Sequence, residues 1–256
     1  FIRINADEKS HFKVDLRINN DASSSIILEY KNQLIDLDKI TSFWYRRGGH
    51  LNFYTGEKLN FFFNSKNFIN LITKDLINET KTLSGYIYSQ LLERNYSIGS
   101  LESSSPNKLI MLDIAIKSGL IVPETAITCA KSKLNGFKDK EGEIVTKAIG
   151  EGLHFESENK FYSVYTELVK NLDELSDSFF PSLFQEKLDK QYEIRSFFLD
   201  GEIYSMAIFS QKNSKTLIDF RKYDEAVPNR NVPYKLPNDI EDKLRVFMNN
   251  MNLNSG

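Results

Sequence analysis

The sequence predicts a mixed α/β protein with more than one domain, and three observations carry this prediction. About the first sixty residues alternate apolar and polar positions between turn residues, which is typical of half-buried strands. Apolar residues then recur at three- and four-residue steps from about residue 64 to 94, which is the period of a helix. Short helical and extended patterns alternate from there to the end. At 256 residues the chain can form one large domain or two smaller ones.

The composition is that of a globular protein, and it excludes several functional classes. Lys and Arg number 33 against 35 Asp and Glu, so the net charge of −2 offers no basic surface for duplex nucleic acid. No apolar run approaches the ~20 residues that a membrane-spanning helix needs. The lone Cys129 excludes an internal disulfide and a cysteine-based metal site, and it favours a reducing, cytoplasmic compartment. His11, His50 and His154 are too far apart in the sequence to suggest a His-rich metal site.

The N-terminal strands are predicted over residues 11–18, 25–30 and 40–45. In the first of them, alternate residues are apolar and share one face. The third carries Trp44 and Tyr45, which are most simply core residues, and it ends in Arg46 and Arg47. These two arginines either form a solvated strand end or bind substrate or phosphate, and the sequence leaves both open.

The helices are predicted from their period and their end signals. The first runs from Asn64, a plausible N-cap, to about residue 94. The Ser-rich stretch from Gly99 to Pro106 is the best candidate domain boundary. A second helix follows over about residues 107–117, with Gly119 as its stop signal, and a third is predicted over residues 238–251.

Further strands are predicted near residues 121–128, 143–149 and 161–166, and the last two would pair as a hairpin that holds Gly150, Gly152 and His154. A second hairpin is predicted over residues 191–211. Its strands meet at Asp200-Gly201, a dipeptide that suits a tight type I′ turn.

Familiar catalytic fingerprints are missing from the sequence. It contains no P-loop, no Gly-x-Gly-x-x-Gly dinucleotide motif and no Gly-x-Ser-x-Gly nucleophile elbow. What remains is a series of charged and polar residues that the pattern puts at strand ends. Lysines and arginines that converge on one cleft would suit a triphosphate, because Lys supplies point charges and Arg grips phosphate oxygens bidentately. The series comprises Lys108, Lys147, Gln185, Glu186, Lys187, Glu193, Arg195 and the segment Asp219-Phe220-Arg221.

Three stretches of this series resemble the ATP-grasp fold. Residues 107–125 look like its opening, in which a lysine starts a helix and Gly-Leu-x-x-Pro-x-Thr leads into the first strand of the ATP-binding subdomain. About forty residues on, the stretch that ends at Lys147 is similar to the family's second nucleotide lysine. Residues 184–190 and 192–195 resemble its hinge segment and the adjoining strand. The order and spacing of these stretches make the resemblance specific.

Other stretches narrow the resemblance to the ATP-grasp ligases that mature graspetides, the microviridin and chryseoviridin type of ribosomally made and modified peptide (RiPP). They are residues 42–47, 208–211 and 217–223. The fold implied is an ATP-grasp fold behind an N-terminal α/β pre-ATP-grasp domain. Its domains would be residues 1–100, a central subdomain with a hairpin at 101–184, and a C-terminal subdomain at 185–256. We expect both chain ends to be incomplete, and we expect the Mg²⁺-ligating carboxylates of the family to lie beyond residue 256.

The resemblance also implies roles for single residues. Lys108 and Lys147 would bind the phosphates of ATP, and Gln185 and Glu186 would contact adenine. Lys187 and Leu188 would form the hinge, with Lys190 nearby, and Glu193 would take the ribose or organise the lysines. Arg195 and Arg221 would neutralise the γ-phosphate and the acyl phosphate. Simpler interpretations stay open. Lys108 could be an ordinary lysine at the start of a helix, and Gln185 and Glu186 could be polar residues of an edge strand. Arg195 and Arg221 could only pair with carboxylates.

The activity implied is an ATP- and Mg²⁺-dependent macrocyclisation. An Asp or Glu side chain of a ribosomal precursor peptide would become an acyl phosphate, and a Thr or Ser hydroxyl of the same peptide would attack it to close an ω-ester. A Lys nucleophile would give an ω-amide. The alternatives are a glutamate-adding ligase and a peptide-binding relative without catalysis. The partners implied are a precursor peptide with leader and core, and a second copy of the chain in a homodimer.

The hairpin expected around residues 150–166 is the candidate holder of the leader peptide. It carries aromatic residues that look exposed, among them Phe155, Tyr162 and Tyr165. Aromatic side chains of this kind commonly anchor an amphipathic peptide helix. The alternative is a hairpin that only covers the nucleotide as a lid.

Overall fold

A computed structural model describes residues 1–4, 11–46, 49–53, 66–152, 154–158 and 160–256 of the chain. The chain forms two compact units, an N-terminal unit Phe1–Ser105 and a C-terminal unit Pro106–Gly256. The finer division of the C-terminal unit at residue 184 stays a prediction.

The N-terminal unit combines an antiparallel three-stranded sheet, a long helix and a short parallel strand pair. In chain order its elements are β1 (Lys13–Ile18), β2 (Ser24–Tyr30), β3 (Gln33–Asp36), β4 (Ser42–Trp44), α1 (Lys66–Arg94) and β5 (Tyr96–Ile98). The sheet has the order β1-β2-β3, and β4 pairs with β5.

The core of the N-terminal unit joins the inner face of β2 to one face of α1. Ile26 of β2 and Ile87 of α1 are fully buried in the same cluster. Tyr45 belongs to this core as predicted, whereas Trp44 is 60% exposed, so its assignment to the core is wrong. The two neighbours differ because successive residues of an extended segment point to opposite faces. The predicted N-cap Asn64 lies outside the described residues.

The C-terminal unit contains three sheets and three helices among the described residues. Its helices are α2 (Lys108–Lys117), α3 (Lys131–Glu141) and α4 (Asn238–Asn250). Its strands are β6 (Thr125–Ala130), β7 (Ile144–Lys147), β8 (His154–Ser157), β9 (Lys160–Ser163), β10 (Glu167–Leu168), β11 (Ser178–Glu186), β12 (Glu193–Leu199), β13 (Glu202–Phe209) and β14 (Arg230–Tyr234). One sheet has the order β10-β7-β11-β6 and the other β12-β13-β14, while β8 and β9 form a two-stranded sheet of their own.

Local signals explain two of these elements. The side chain of Asn107 accepts hydrogen bonds from the backbone of Leu109 and Ile110 and so caps α2. Gly119 follows that helix with φ at 79°, a conformation that glycine adopts without strain. Asp200 and Gly201 join β12 to β13 with φ values of 46° and 91°, which confirms the predicted turn.

Three sequence-based expectations for the C-terminal unit are wrong. β7 does not pair with the strand predicted near residues 161–166. It pairs with β10 and β11 instead, and the hairpin consists of β8 and β9. Residues 131–141 form α3, which was missed from the sequence because Leu134 is its one fully buried side chain and four lysines interrupt any apolar pattern. Arg221 lies in the irregular segment between β13 and β14 rather than at a strand end.

Within the described parts of the chain, we found no helix with the length and apolar character needed to cross a bilayer.

Candidate functional site

A cleft of about 660 Å³ lies in the C-terminal unit and is lined by residues of both larger sheets. We call it the main cleft. Its walls come from β7, β11 and β12, from the connection over residues 187–192, and from the loop after β13. The structure brings seven of the predicted site residues together here: Lys147, Gln185, Glu186, Lys187, Leu188, Lys190 and Glu193.

The floor of the main cleft is a row of side chains across three neighbouring strands. Gln185 at the centre of the row pairs with Thr125 of β6 on one side and with Val145 of β7 on the other. Gln185 is only 3% exposed. Its amide Nε2 donates a hydrogen bond to the Thr125 hydroxyl oxygen at 2.8 Å. The floor therefore presents one fixed amide beside the apolar side chain of Val145, and Thr125 supports that amide from the next strand.

Lys147 is the last residue of β7 and lies half-buried against the main cleft. Burial lowers the pKa of Lys147, and the nearby positive charges of Lys108 and Arg221 lower it further, while Asp219 opposes them. A lysine in such surroundings favours an anionic partner, because an anion relieves both the burial of the ammonium and its repulsion by other cations.

Lys108 acts on the segment that follows Lys147. Its Nζ atom donates to the backbone oxygens of Ala148, at 3.1 Å, and of Gly150. Among the described residues, Lys108 is outside the lining of the main cleft. Its positive charge nevertheless lowers the pKa of Lys147, so the two lysines lie close enough to repel each other.

The connection after β11 is tied to the four-stranded sheet by backbone and side-chain bonds. The backbone amide of Glu186 donates to the oxygen of Glu124 at 3.0 Å, and that of Lys187 donates to the oxygen of Glu143 at 2.8 Å. Lys187 Nζ also donates to the Glu143 carboxylate at 2.5 Å. Leu188 is exposed and lines the cleft directly after these bonds. The start of the predicted hinge is thereby fixed to the sheet.

A second network holds Glu193 at the start of β12. Its Oε1 atom accepts hydrogen bonds from Lys190 Nζ at 2.6 Å and from the buried Ser210 hydroxyl at 3.2 Å. Lys190 also donates to the backbone oxygen of Ile218 at 3.0 Å. Glu193 therefore organises Lys190, one of the two roles that the resemblance implied for it.

A neighbouring cleft of about 470 Å³, the side cleft, contains Arg195 and Arg221, the two arginines predicted to neutralise the γ-phosphate and the acyl phosphate. It shares Thr166, Lys190 and Glu193 with the main cleft and adds Arg195 and Arg221. The two clefts together therefore collect Lys147, Arg195 and Arg221, three of the cations predicted to meet phosphate groups, whereas Lys108 lies outside the lining of both.

Arg221 is held in the side cleft by a bidentate bond to Asp219. Its Nε donates to Asp219 Oδ1 at 2.8 Å and a terminal guanidinium nitrogen donates to Oδ2 at 2.6 Å. Asp219 is 4% exposed and also accepts the backbone amide of Thr166 at 3.0 Å. It thus ties the loop after β13 to the segment that enters β10.

Burial alone would raise the pKa of Asp219, but the Arg221 guanidinium and the backbone amides of Thr166 and Arg221 hold it well below the ordinary value of 3.8. Asp219 therefore stabilises the fold above that value, and the contribution disappears as the pH falls toward the lowered pKa. We expect Asp219→Asn to lower the thermal unfolding midpoint by a constant amount above about pH 5. The gap to wild type should narrow below pH 3.8. A gap that stays constant down to acid-induced unfolding would contradict this role.

The aromatic residues of the hairpin form a small surface outside both clefts. Phe155 of β8 and Tyr162 of β9 pair directly across the strands, and their rings stack with centroids 4.8 Å apart. They are 44% and 43% exposed. Tyr165 lies beyond β9 and is half-buried, so its expected exposure on the hairpin is wrong; Lys222 Nζ is 6.0 Å from its ring centroid. Phe155 and Tyr162 thus stack on each other and keep part of their surface exposed.

The two predicted substrate arginines belong to the N-terminal unit. Arg46 is exposed, two residues after β4. Arg47 lies outside the described residues.

Comparison with known proteins identifies the fold. No family model matches the chain, and no curated protein does. A RiPP-associated ATP-grasp ligase of Chryseobacterium gregarium, solved with ADP and a leader and core peptide, has a TM-score of 0.78 and 25% identity over 100% of this chain and 74% of that chain. This chain has the ATP-grasp fold.

Two macrocyclases of Microcystis aeruginosa MRC share the ATP-grasp fold. MdnB matches with a TM-score of 0.73 and 22% identity, over 100% of this chain and 76% of that chain. MdnC, bound with the precursor peptide MdnA, matches with a TM-score of 0.72 and 24% identity, over 96% of this chain and 73% of that chain. These two likenesses confirm the predicted fold class. The Chryseobacterium gregarium ligase confirms the resemblance to RiPP ATP-grasp ligases and supports the predicted class of ATP-grasp carboxylate ligase.

Four residues that line the clefts or bond to their lining were not assigned a role from the sequence. Asp219 had a usable signal, because a carboxylate two residues before an arginine can form a fork with it. Thr125, Thr166 and Ser210 had none, since their contacts join residues 17 to 60 positions apart in the sequence.

Proposed function

We propose that this chain is an ATP-dependent ligase that activates Asp or Glu side chains of a ribosomal precursor peptide as acyl phosphates and closes ω-ester bonds with Thr or Ser. The observation that carries the proposal is the grouping of Lys147, Lys190, Arg195 and Arg221 around two adjoining clefts. The ADP and peptide bound by the similar Chryseobacterium gregarium ligase support it.

The chemistry needs positioning and charge neutralisation rather than a covalent enzyme intermediate. A peptide carboxylate oxygen attacks the γ-phosphorus of ATP, and ADP leaves. A peptide hydroxyl then attacks the acyl carbon, the ester C–O bond forms, and phosphate departs as the hydroxyl proton is lost. Negative charge builds on phosphate oxygens in both steps, and fixed cations stabilise it. Lys147 would meet the nucleotide phosphates, and the Arg221 fork would face the transferred phosphoryl group.

Mg²⁺ enters this proposal as part of the MgATP substrate. The described residues contain no group of three or more His, Cys, Asp and Glu side chains that could hold a metal ion. Two carboxylates that line the clefts, Glu193 and Asp219, are each paired with a cation instead. They therefore fit a role in organising Lys190 and Arg221.

The test is to express the protein together with a precursor peptide that contains Thr, Ser, Asp and Glu, and to measure the peptide mass. Each ester ring removes one water. Cleavage of the product by mild base distinguishes an ω-ester from an ω-amide. Added glutamate mass would indicate a glutamate-adding ligase, and a peptide that binds without ATP turnover would indicate a binding module. Either of these two results would overturn the proposal.

We also propose that the β8–β9 hairpin holds the leader segment of the precursor. A macrocyclase must act on several residues of one flexible chain, so a separately anchored leader raises the effective concentration of the core at the cleft. The stacked pair Phe155 and Tyr162 offers an exposed aromatic anchor of the kind that binds apolar residues of a peptide helix.

Replacing Phe155 and Tyr162 with Ser should weaken leader binding by about tenfold or more, because the loss of two aromatic anchors removes more than about 1.4 kcal/mol. The measurement is a titration of the leader peptide alone, without ATP. The matched control is Phe180→Ser, since Phe180 is another exposed phenylalanine of the same unit, 84% exposed on β11. Unchanged leader affinity together with reduced ATP affinity would mean that the hairpin is a lid.

We further propose a homodimer that works in the cytoplasm. The family resemblance supports the dimer, and a single cysteine suits a reducing compartment. Light scattering of the purified protein, with and without precursor peptide, measures the oligomeric state.

A further inference from the structure

We infer that Thr125 is a positioning residue that makes the main cleft select a purine with an amino group at position 6 over one with an oxo group there. The inference rests on the proposed function, since it concerns the nucleotide that this cleft would bind. It adds a residue and a cause of base selectivity that the family resemblance did not supply.

The first step is the direction of the hydrogen bonds at Thr125. The Thr125 hydroxyl lies 2.8 Å from the backbone oxygen of Pro123. A carbonyl oxygen can only accept, so the hydroxyl proton must point to Pro123. The hydroxyl oxygen is then left with lone pairs, which can only accept.

The second step follows for Gln185. The Gln185 side-chain amide lies 2.8 Å from the same hydroxyl oxygen. Because that oxygen has already used its proton, only the Nε2 end of the amide can satisfy it, and the reverse orientation would set two acceptors against each other. Thr125 therefore fixes which end of the Gln185 amide faces away from it. That end is the oxygen Oε1.

The third step is the place of this oxygen. Gln185 lines the main cleft, in the floor row between Thr125 and Val145. No described residue donates a hydrogen bond to Oε1 of Gln185, and this atom is not fully buried. The floor of the cleft thus presents one fixed hydrogen-bond acceptor.

An acceptor in this place distinguishes purines by the group at position 6. Adenine offers an N6 amino donor there, whereas guanine and hypoxanthine offer an O6 acceptor. An oxo group would leave two acceptor oxygens facing each other with no proton between them, which costs affinity. Without Thr125, the amide could rotate to present Nε2 and accept either base.

The test compares the affinities of the purified protein for ATP and ITP, which differ at position 6 and in the proton on N1 that accompanies the oxo group, without the additional 2-amino group of GTP. We expect the wild type to prefer ATP. Thr125→Val keeps the β-branched shape but removes the hydroxyl, and it should lower the ratio Kd(ITP)/Kd(ATP) by about threefold or more. Thr125→Ser keeps the hydroxyl and should retain the ratio. Thermal unfolding checks that each variant is folded, and Thr125→Ala replaces the valine variant if that one is not.

A double-mutant cycle shows whether Thr125 acts through Gln185. Gln185→Leu should also reduce the ratio, and adding Thr125→Val to it should have no further effect, because the amide to be oriented is gone. A ratio that stays within threefold in the valine variant, or additive effects in the cycle, would overturn the inference. Failure of the wild type to bind either nucleotide would overturn the proposed function itself, whereas equal binding of ATP and ITP by the wild type would overturn only this inference.

Discussion

Replacing Lys147 with alanine is expected to reduce ATP binding by about a hundredfold while the fold remains intact. A charge-assisted hydrogen bond from a partly buried cation contributes about 1.5–3 kcal/mol, and each 1.4 kcal/mol is about tenfold in affinity. Lys147 ends β7 between the charges of Lys108 and Arg221, so no other lysine of the cleft substitutes for it in place. Isothermal titration with ATP measures the effect. Binding within about threefold of wild type would refute its assignment to the phosphates.

The matched control is Lys133→Ala, because Lys133 is an exposed lysine on α3 of the same unit. It should leave ATP affinity unchanged. Stability provides a second check. The folded state lowers the pKa of Lys147, so it binds this proton less well than the unfolded chain does, and the wild-type free energy of unfolding gains from Lys147 as the pH rises toward 10.5. Lys147→Ala should lack this gain, and it should be no less stable than wild type at neutral pH.

Arg221→Ala is expected to have a different effect, in which ATP still binds but ring closure slows by about a hundredfold or more. Removal of one preorganised partner of transition-state charge typically costs about 10²–10³ in rate. The measurement is the rate of water loss from the precursor peptide at saturating ATP. Unchanged cyclisation would remove Arg221 from the mechanism.

The Arg221 experiment needs a control because the same substitution strands Asp219. Asp219 is almost fully buried, and an unpaired carboxylate there destabilises the loop that carries it. The double variant with Asp219→Asn and Arg221→Ala removes that charge. Arg221→Lys keeps a cation but loses the two-pronged geometry. A cyclisation rate that falls equally in all three variants depends on the bidentate pair of Arg221 and Asp219. A double variant whose rate returns to that of wild type would show that the loss came from the unpaired Asp219 carboxylate.

The sequence could predict the features that depend on neighbours along the chain. Asn107 caps α2, Asp200-Gly201 turns the hairpin, and the alternating pattern of the first strands shows which face is buried. The order and spacing of motifs also led correctly to the ATP-grasp fold.

The sequence could not predict the features that depend on strand pairing. The apolar residues Ile144 and Val145 of β7 predict a buried strand but not which strands flank it, so its partners β10 and β11 were missed. The contact of Thr125 with Gln185 needs the register of β6 on β11, and that of Asp219 with Thr166 crosses 53 residues. Such contacts exist only once the sheets have formed.

The separate sheet of the hairpin has a consequence for how such enzymes diverge. β8 and β9 bond to each other, whereas the cleft floor lies in the register of β7, β11 and β6. Substitutions at Phe155 or Tyr162 therefore alter a surface without shifting the strands that would hold the nucleotide. A hairpin that would hold a peptide partner can thus accept substitutions while the register of the strands that would hold the nucleotide is kept.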